Sequence, residues 1–412
     1  MHALVLVDLS RQLTAMEAYV LEWLNALGRA FHVIAGIAWI GASFYFIWLD
    51  SHLRAPRYPD EAERLGIGGE VWALHGGGFY RAQKFAIAPP ELPEPLHWFK
   101  WEAYSTWLSG MFMLALVYYV SAEVYLVDRS VAELSKPASV ATGLAFLAGG
   151  WIVYDLLCRS PLGKREPWLA AVMLALCAAA AYALTHLFSG RGAWIHFGAM
   201  LGTIMAANVF FVIMPGQREM VKAKVEGRVP DPVHGARGKQ RSVHNTYFTL
   251  PVLFTMISNH YATFTNAANG WLVLVAVSLA GVFIRLFFTF RHRGVAKPSF
   301  WAIGIALLAA VFVALMPRGG GNAAGSASFA EVKAIVAQRC ATCHAEKPTY
   351  AGFASPPKNV ALDTDARIVA QAPLVHQQAV VLKAMPIGNL TQMTDEERAK
   401  VDAWFRAGAK GQ

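Results

Sequence analysis

Long apolar runs separated by shorter polar segments make up most of the first three quarters of the chain. Each run holds roughly 17 to 25 residues, about the length that a helix needs to cross the hydrocarbon core of a membrane. The pattern therefore predicts an all-α, polytopic membrane bundle of about eight transmembrane helices. The windows are 30–49, 103–127, 138–157, 168–188, 193–214, 245–262, 270–290 and 299–316.

Composition and the placement of charge support a membrane protein. Of 412 residues, 56% are hydrophobic and only 15% are charged, which is unusual for a soluble protein. The net charge of +9 could indicate a nucleic-acid partner, but Lys and Arg collect in alternate loops, which is the positive-inside pattern. We therefore expect no nucleic acid and a multi-pass protein surrounded by lipid in the bacterial inner membrane. The loops expected in the cytoplasm are 50–102, 158–167, 215–244 and 291–298, with the N-terminus and the C-terminal tail in the periplasm.

A Gly-rich linker, 317–328, separates the membrane domain, 1–316, from a tail, 329–412. Near its start the tail carries the motif C-x-x-C-H. On one helical turn, two thiols can add to the vinyl groups of haem while the imidazole reaches the iron. We therefore expect one covalently bound haem c, attached and ligated by Cys340, Cys343 and His344.

Two further features make the tail resemble a class I cytochrome c. Met385, followed by Pro386, is the candidate second iron ligand. Thr394 and Glu397 have the spacing of a capping box and predict a terminal helix that carries Trp404. The tail is therefore expected to handle electrons at the outer membrane surface.

The membrane domain shows a weak internal similarity. The segments 31–36 and 195–200 open the first and fifth windows, and each is followed by an aromatic-rich stretch and a long basic loop. This favours a four-plus-four repeat. Chance similarity between two apolar helices is the alternative.

Four histidines fall near the outer ends of the predicted helices. Ionisable residues inside a membrane are costly, and neutral imidazoles at one depth could ligate a haem b. The alternative is that they are interfacial or hydrogen-bonded core histidines. The candidates for the haem b iron are His32, His186, His196 and His260.

A second polar group lies on the inner side, in the loops and at the helix starts next to them. The segment 71–85 has three glycines at its centre and predicts a hairpin or re-entrant turn, and a loop of this length is often functional. Its cationic and aromatic side chains suit a planar anion. The alternative is the positive-inside charge excess alone. The group comprises His75, Arg81, Lys84, His97, Lys100, Glu102, His244 and Asn245, whereas Arg285 is expected to snorkel towards the inner surface.

Three segments, 31–41, 97–104 and 245–251, resemble the bacterial membrane-bound, cytochrome-c-fused urate oxidase family. The resemblance implies oxidation of urate to 5-hydroxyisourate, with electrons leaving through the tail to a soluble cytochrome or a terminal oxidase of the respiratory chain. Under this hypothesis Arg81, Lys84, Lys100 and Asn245 bind urate. The candidates for catalysis are His75, Lys84, His97, Lys100, Glu102 and His244.

Other functions remain open from the sequence. The first helix also resembles the membrane protoporphyrinogen oxidase family, which favours His32 as a haem ligand. A non-catalytic haem b and c electron-transfer subunit is a second alternative, and a transporter with a fused cytochrome is a third. Roughly 30 Å of hydrocarbon is too far for one electron-transfer step, so urate oxidation needs either an intermediate redox centre or a substrate site deeper than the loops.

Overall fold

The computed structural model describes residues 2–316, 327–350, 353 and 355–411, and it is mostly helical. Twelve α-helices precede the tail in the described part of the chain. They are α1 (His2–Ser51), α2 (Pro59–Leu65), α3 (Trp101–Leu114), α4 (Ala122–Tyr125), α5 (Lys136–Arg159), α6 (Glu166–Thr185), α7 (Gly190–Ala207), α8 (Met214–Val225), α9 (Pro232–Ile257), α10 (Ala262–Thr265), α11 (Gly270–His292) and α12 (Pro298–Ala314).

Several of these helices could span a membrane. Within the described residues, five are long and apolar enough by length and composition: Tyr19–Ser51, Lys136–Arg159, Glu166–Thr185, Gly190–Val225 and Gly270–His292. The other three predicted windows are also largely helical, but each differs from a plain long apolar helix. α3 passes into a π-helix at Ala115–Tyr119, α9 begins with a polar half, and α12 is shorter.

Helix α7 forms the centre of the bundle. Trp194, Phe197 and Leu201 are almost completely buried, and the helix packs against α5, α6 and α9. Gly198 allows α9 to approach closely, because a Cβ at this position would lie 2.0 Å from Thr255 Oγ1. Small residues serve this purpose where membrane helices pack. The helix then continues through the π-helix Asn208–Ile213 into α8.

A two-stranded antiparallel hairpin follows α2 and departs from the all-α expectation. Strand β1 (Ile67–His75) pairs with β2 (Gly78–Phe85), which confirms the hairpin with a glycine tip. Gly76 and Gly77 form the turn with φ values of +56° and +81°. Two successive positive φ angles match the twist of a tight hairpin and favour glycine. The turn residues therefore determine this element.

The tail has its own hydrophobic core, built around Val332, Val336 and Trp404. Its helices are α13 (Phe329–Arg339), α14 (Asp365–Ala370), α15 (Ala372–Val375) and α16 (Asp395–Arg406), with a π-helix at His376–Val381. The capping box that begins α16 is confirmed: Thr394 and Glu397 exchange their hydrogen bonds. Of the predicted linker 317–328, residues 317–326 lie outside the described residues.

The tail rests on the membrane part through the loop that carries Met385. Asn266 Nδ2 donates hydrogen bonds to the carbonyl oxygens of Leu382 and Lys383, at 3.3 and 3.0 Å. On the other side of Met385, a Cβ at Gly388 would lie 2.8 Å from the carbonyl oxygen of Val124. Glycine thus permits close contact between this loop and the end of α4.

Candidate functional site

A cavity of about 1000 Å³ lies between the C-terminal half of α1, strand β2, the start of α3, and helices α9 and α11. It extends from polar residues near the hairpin to apolar residues within the bundle. Four of the eight inner residues that the sequence indicated belong to its lining: Lys84, His97, Glu102 and Asn245. The fold therefore gathers half of this predicted group around one space.

The polar rim of the cavity carries a net positive charge. The Nζ atoms of Lys84 and Lys239 both contact the carboxylate of Asp50, the second at 3.2 Å. The cavity lining holds three cationic side chains, Lys84, Lys239 and Arg293, and two carboxylates, Asp50 and Glu102, so an anion entering the cavity meets an attractive potential. Lys239 comes from α9 and was not among the predicted site residues.

Aromatic rings line the same cavity. The Phe99 ring meets the His97 ring edge-on at 4.5 Å and the Phe46 ring at 4.9 Å, measured between centroids. Trp39 and Trp98 also belong to the lining. Flat faces beside cationic groups suit a planar, negatively charged ligand.

The other predicted inner residues lie outside the cavity lining. His75 is exposed at the end of β1, and Lys100 Nζ lies 5.7 Å from the centroid of the Trp101 ring. Arg81 pairs with Glu61 at 2.7 Å and with Glu70 at 2.8 Å. The guanidinium of Arg81 therefore fastens the hairpin to α2.

Glu70 is the acceptor that organises this loop. Its side chain is buried and accepts from Trp72 Nε1, from the Arg57 backbone N–H and from Arg81 Nε, each at 2.8 Å. These donors, the Trp72 indole foremost, lower the pKa of Glu70 to about 2. The carboxylate therefore stays ionised at every physiological pH.

A chain of hydrogen bonds links the cavity to the surface through His244. Asn245, in the cavity lining, accepts from Asn208 Nδ2 at 2.8 Å, and Asn208 Nδ2 also donates to Tyr154 Oη at 3.2 Å. Tyr154 Oη lies 2.8 Å from His244 Nδ1, and His244 Nε2 lies 3.0 Å from Glu166 Oε2. A carboxylate can only accept, so Nε2 carries a proton and Nδ1 of the neutral ring accepts from Tyr154.

A buried ion pair supports this chain. Arg241 Nη2 donates to Asp155 Oδ1 at 2.8 Å, and the Arg241 guanidinium lies 4.8 Å from the centroid of the Tyr154 ring. Sequence reasoning missed Tyr154, Asp155, Asn208 and Arg241. The available signal was polar side chains within apolar windows, because such residues need a partner in the bundle.

Each of the four outer histidines has its own surroundings in the structure. His32 Nδ1 lies 2.9 Å from Ser109 Oγ, His186 Nδ1 lies 2.7 Å from the Tyr182 carbonyl oxygen, and His260 is exposed after α9. Among the described residues, no two of these four rings contact each other. The expectation that they ligate a haem b stays a prediction.

Both ring nitrogens of His196 have hydrogen-bond partners. Its Nδ1 donates to the Gly192 carbonyl oxygen at 2.8 Å, so Nε2 accepts from Tyr119 Oη at 3.2 Å. A Cβ at Gly143 would lie 2.6 Å from Nε2, so glycine at this position lets α5 pack directly against the ring. His196 is a hydrogen-bonded core histidine in this arrangement.

The tail motif has the arrangement that covalent haem needs. The backbone N–H of His344 donates to the Cys340 carbonyl oxygen at 2.8 Å, which keeps the motif on one turn. His344 Nδ1 donates to the Val360 carbonyl oxygen at 2.8 Å and leaves Nε2 for iron. Arg398 Nη1 donates to the Met385 carbonyl oxygen at 2.9 Å and positions the second candidate ligand. The donor set therefore fits a haem c held by Cys340, Cys343, His344 and Met385.

The described residues contain no group of three or more His, Cys, Asp or Glu side chains that could hold a metal ion. The cavity, with its cationic and aromatic lining, is the candidate substrate site, and the tail motif is the candidate haem site. The two sites lie in different parts of the chain.

One family model matches nearly all of the chain that precedes the tail. No curated protein and no solved structure matches the chain. Residues 18–316 match the model of the family described as "Urate oxidase N-terminal", and this match spans most of the chain. The expected relation to urate oxidases is confirmed at this level and supports an oxidoreductase acting on urate. The chain therefore belongs to the urate oxidase N-terminal family.

Proposed function

We propose that this protein binds urate in the cavity of the membrane part, oxidises it to 5-hydroxyisourate and passes the electrons through a haem c on the tail to the respiratory chain. The family match over residues 18–316 carries the proposal, because those residues also build the cavity. The proposal includes eight membrane crossings, with the basic loops in the cytoplasm and the tail in the periplasm.

Urate at neutral pH is a planar monoanion, and the cavity offers a group for each of its properties. Lys84 and Lys239 attract the negative charge. Phe99 provides a flat apolar surface for the ring. The Asn245 amide can exchange hydrogen bonds with lactam groups, and its own position is held by a bond from Nδ2 to the Met205 carbonyl oxygen at 3.0 Å.

The reaction consumes urate and water and yields 5-hydroxyisourate, two protons and two electrons. Loss of two electrons makes the ring carbon C5 electrophilic, and the water oxygen then bonds to it. A general base must accept a proton from this water. His97 and Glu102 are the base candidates that line the cavity. His244 does not line the cavity but is connected to it by the chain of hydrogen bonds described above, and it can move a proton between Tyr154 and Glu166.

The tail would hold the electron acceptor. When bound to Cys340 and Cys343, haem c supplies a centre that accepts one electron at a time. The Val360 carbonyl oxygen holds the ring of His344, and Arg398 holds the loop of Met385, so these two residues would be positioned to hold the haem iron. The cavity reaches from the hairpin to Trp39 within the bundle, so urate can bind deeper than the loops.

An anaerobic experiment tests the proposal. Purified protein with oxidised haem c is mixed with urate in the absence of any other polypeptide, and the absorption of haem c and of urate is followed together. We expect two haems reduced for each urate consumed. His344→Ala should abolish electron export while urate binding persists. Full urate turnover by that variant would contradict the route, and an unresponsive wild-type haem would favour the electron-transfer subunit.

A further inference from the structure

We propose that Asn208 and Arg241 fix the orientation of the Asn245 amide in the cavity, and that the fixed amide selects purines with a ring N–H at the matching position, as in urate. The inference rests on the proposed function. It adds two positioning residues that lie outside the cavity lining and act on the ligand through Asn245.

The side chain of Asn245 has only part of its hydrogen-bonding capacity in use. The residue is 6% exposed and belongs to the cavity lining. Its Oδ1 accepts from Asn208 Nδ2 at 2.8 Å, and its Nδ2 donates to the Met205 carbonyl oxygen at 3.0 Å. A carboxamide offers two acceptor positions and two N–H groups. Contacts within the described residues therefore leave one acceptor position and one N–H for a ligand.

The direction of this hydrogen-bond network is set at both ends by groups that cannot reverse. The Met205 carbonyl oxygen can only accept, so it holds Nδ2 of Asn245 on its side. At the other end, Arg241 can only donate, and its Nη1 lies 3.5 Å from Asn208 Oδ1. Asn208 therefore turns its Nδ2 towards Asn245. Rotating either amide by half a turn would place two donors or two acceptors against each other.

Arg241 and Asn208 are themselves held in place. The Arg241 side chain is buried, and its Nη2 donates to Asp155 Oδ1 at 2.8 Å. Asn208 is completely buried and uses both of its N–H groups, since Nδ2 also donates to Tyr154 Oη at 3.2 Å. Breaking buried hydrogen bonds or a buried ion pair is costly, so neither side chain turns freely. The Asn245 amide is therefore oriented before a ligand enters.

The backbone places Asn208 beside the cavity. Asn208 begins the π-helix Asn208–Ile213, of which Val209 and Ile213 belong to the cavity lining. Such π-helical turns interrupt the regular α-helical spacing and are frequent at functional sites. The interruption lets one segment supply two residues to the cavity and one to the network behind Asn245.

A fixed amide has a consequence for ligand choice. The free acceptor position of Asn245 Oδ1 suits a ring N–H of urate, and the free N–H suits a urate carbonyl oxygen. A purine methylated at that ring nitrogen leaves the acceptor without a partner and loses affinity. Loss of the amide orientation removes the same interaction. The two changes should therefore not add in their effects on binding.

Binding of urate and its monomethyl derivatives tests the inference. Protein reduced with dithionite under argon cannot accept electrons from urate, so equilibrium dialysis reports binding alone. We expect the wild type to bind at least one derivative about tenfold or more weakly than urate. Asn208→Leu leaves the charge unchanged and should bind urate about tenfold more weakly, but that derivative by less than about threefold more weakly. Arg241→Lys keeps a cation for Asp155 without the guanidinium fork and should lower the same ratio.

Asn259→Leu is the matched control. Asn259 also bonds to a tyrosine, accepting from Tyr118 Oη at 2.8 Å, but it lies outside the cavity lining. This variant should bind both ligands like the wild type. If Asn208→Leu does not fold, the ratio of affinities in Arg241→Lys decides.

An unchanged ratio of the two affinities in Asn208→Leu and Arg241→Lys would overturn the inference, because a merely structural role weakens both ligands equally. A wild type that binds urate and every monomethyl derivative equally would also overturn it. Both outcomes leave the proposed function intact. Failure of the wild type to bind urate would overturn the proposed function as well.

Discussion

Lys84 and Lys100 belong to the same loop and carry the same charge, but only Lys84 lines the cavity. Lys84→Ala should raise the KM for urate about three- to tenfold, because a half-exposed cation that is shared with Asp50 contributes modestly. Lys100→Ala should leave the KM close to that of the wild type. Steady-state urate oxidation by both variants checks the prediction, and a larger effect at Lys100 would show that the cavity is the wrong site.

Glu70 determines how the hairpin responds to acid. The folded state lowers the pKa of this carboxyl group from 4.5 to about 2, so its contribution to stability is present above pH 4.5 and is lost as the pH falls towards 2. The protection factors of amides in strands β1 and β2, which correct hydrogen exchange for its intrinsic dependence on pH, should therefore fall over that interval in the wild type. Glu70→Gln should have lower protection factors at neutral pH, and these should change less between pH 4.5 and 2. Identical profiles would contradict the role of Glu70.

Individual site residues could be predicted only where charge and loop position made them conspicuous. Lys84, His97 and Glu102 stand out because polar residues cluster in one inner region. Asn208 and Arg285 do not stand out in this way, because each lies in a largely apolar helical segment and outside the polar loops. Their roles depend on contacts with other helices: Asn208 contacts Asn245, and Arg285 contacts Phe44. Spacing along the chain does not reveal such contacts.

At the scale of elements, glycines on α7 set how closely the helices pack. Gly198→Ala should lower the free energy of unfolding by about 1–3 kcal/mol, because the new methyl group would meet Thr255. Gly202→Ala on the same helix has open space around it and should be neutral or slightly stabilising. Thermal unfolding in detergent compares the two. Equal stability would mean that α7 and α9 pack less closely than described.

Elements with a strong local signal were predicted well. The hairpin follows from glycines at its turn, and the start of α16 follows from Thr394 and Glu397. Helix α9 was harder, because the polar half at its start belongs to the inner loop region while the rest is apolar. The chain continues as one helix through both halves, since tertiary packing outweighs the change in composition. The π-helices at 115–119 and 208–213 have no comparable sequence signal.

At the scale of the whole molecule, Asn266 joins the tail to the membrane part. Asn266→Ala removes two hydrogen bonds to the loop before Met385, each contributing about 1 kcal/mol. Together they amount to about 2 kcal/mol, so hydrogen exchange of residues 382–388 should accelerate by up to about thirtyfold, and in the proposed route electron transfer to haem c should slow. Asn269→Ala, at an exposed neighbour whose side chain does not cap α11, should change neither. Unchanged exchange in Asn266→Ala would mean that this contact does not hold the tail.

The contact at Gly388 also affects which surface of the tail can exchange electrons with a diffusing protein. While the loop around Met385 lies against Val124, that flank of the tail is shielded from any diffusing protein. In the proposed route, the membrane part would then donate electrons to this flank of the tail, and a soluble cytochrome would accept them at the opposite flank. Raising the ionic strength should slow electron transfer to the soluble cytochrome, because the encounter of the two proteins depends on their surface charge. Electron transfer within the chain should keep its original rate.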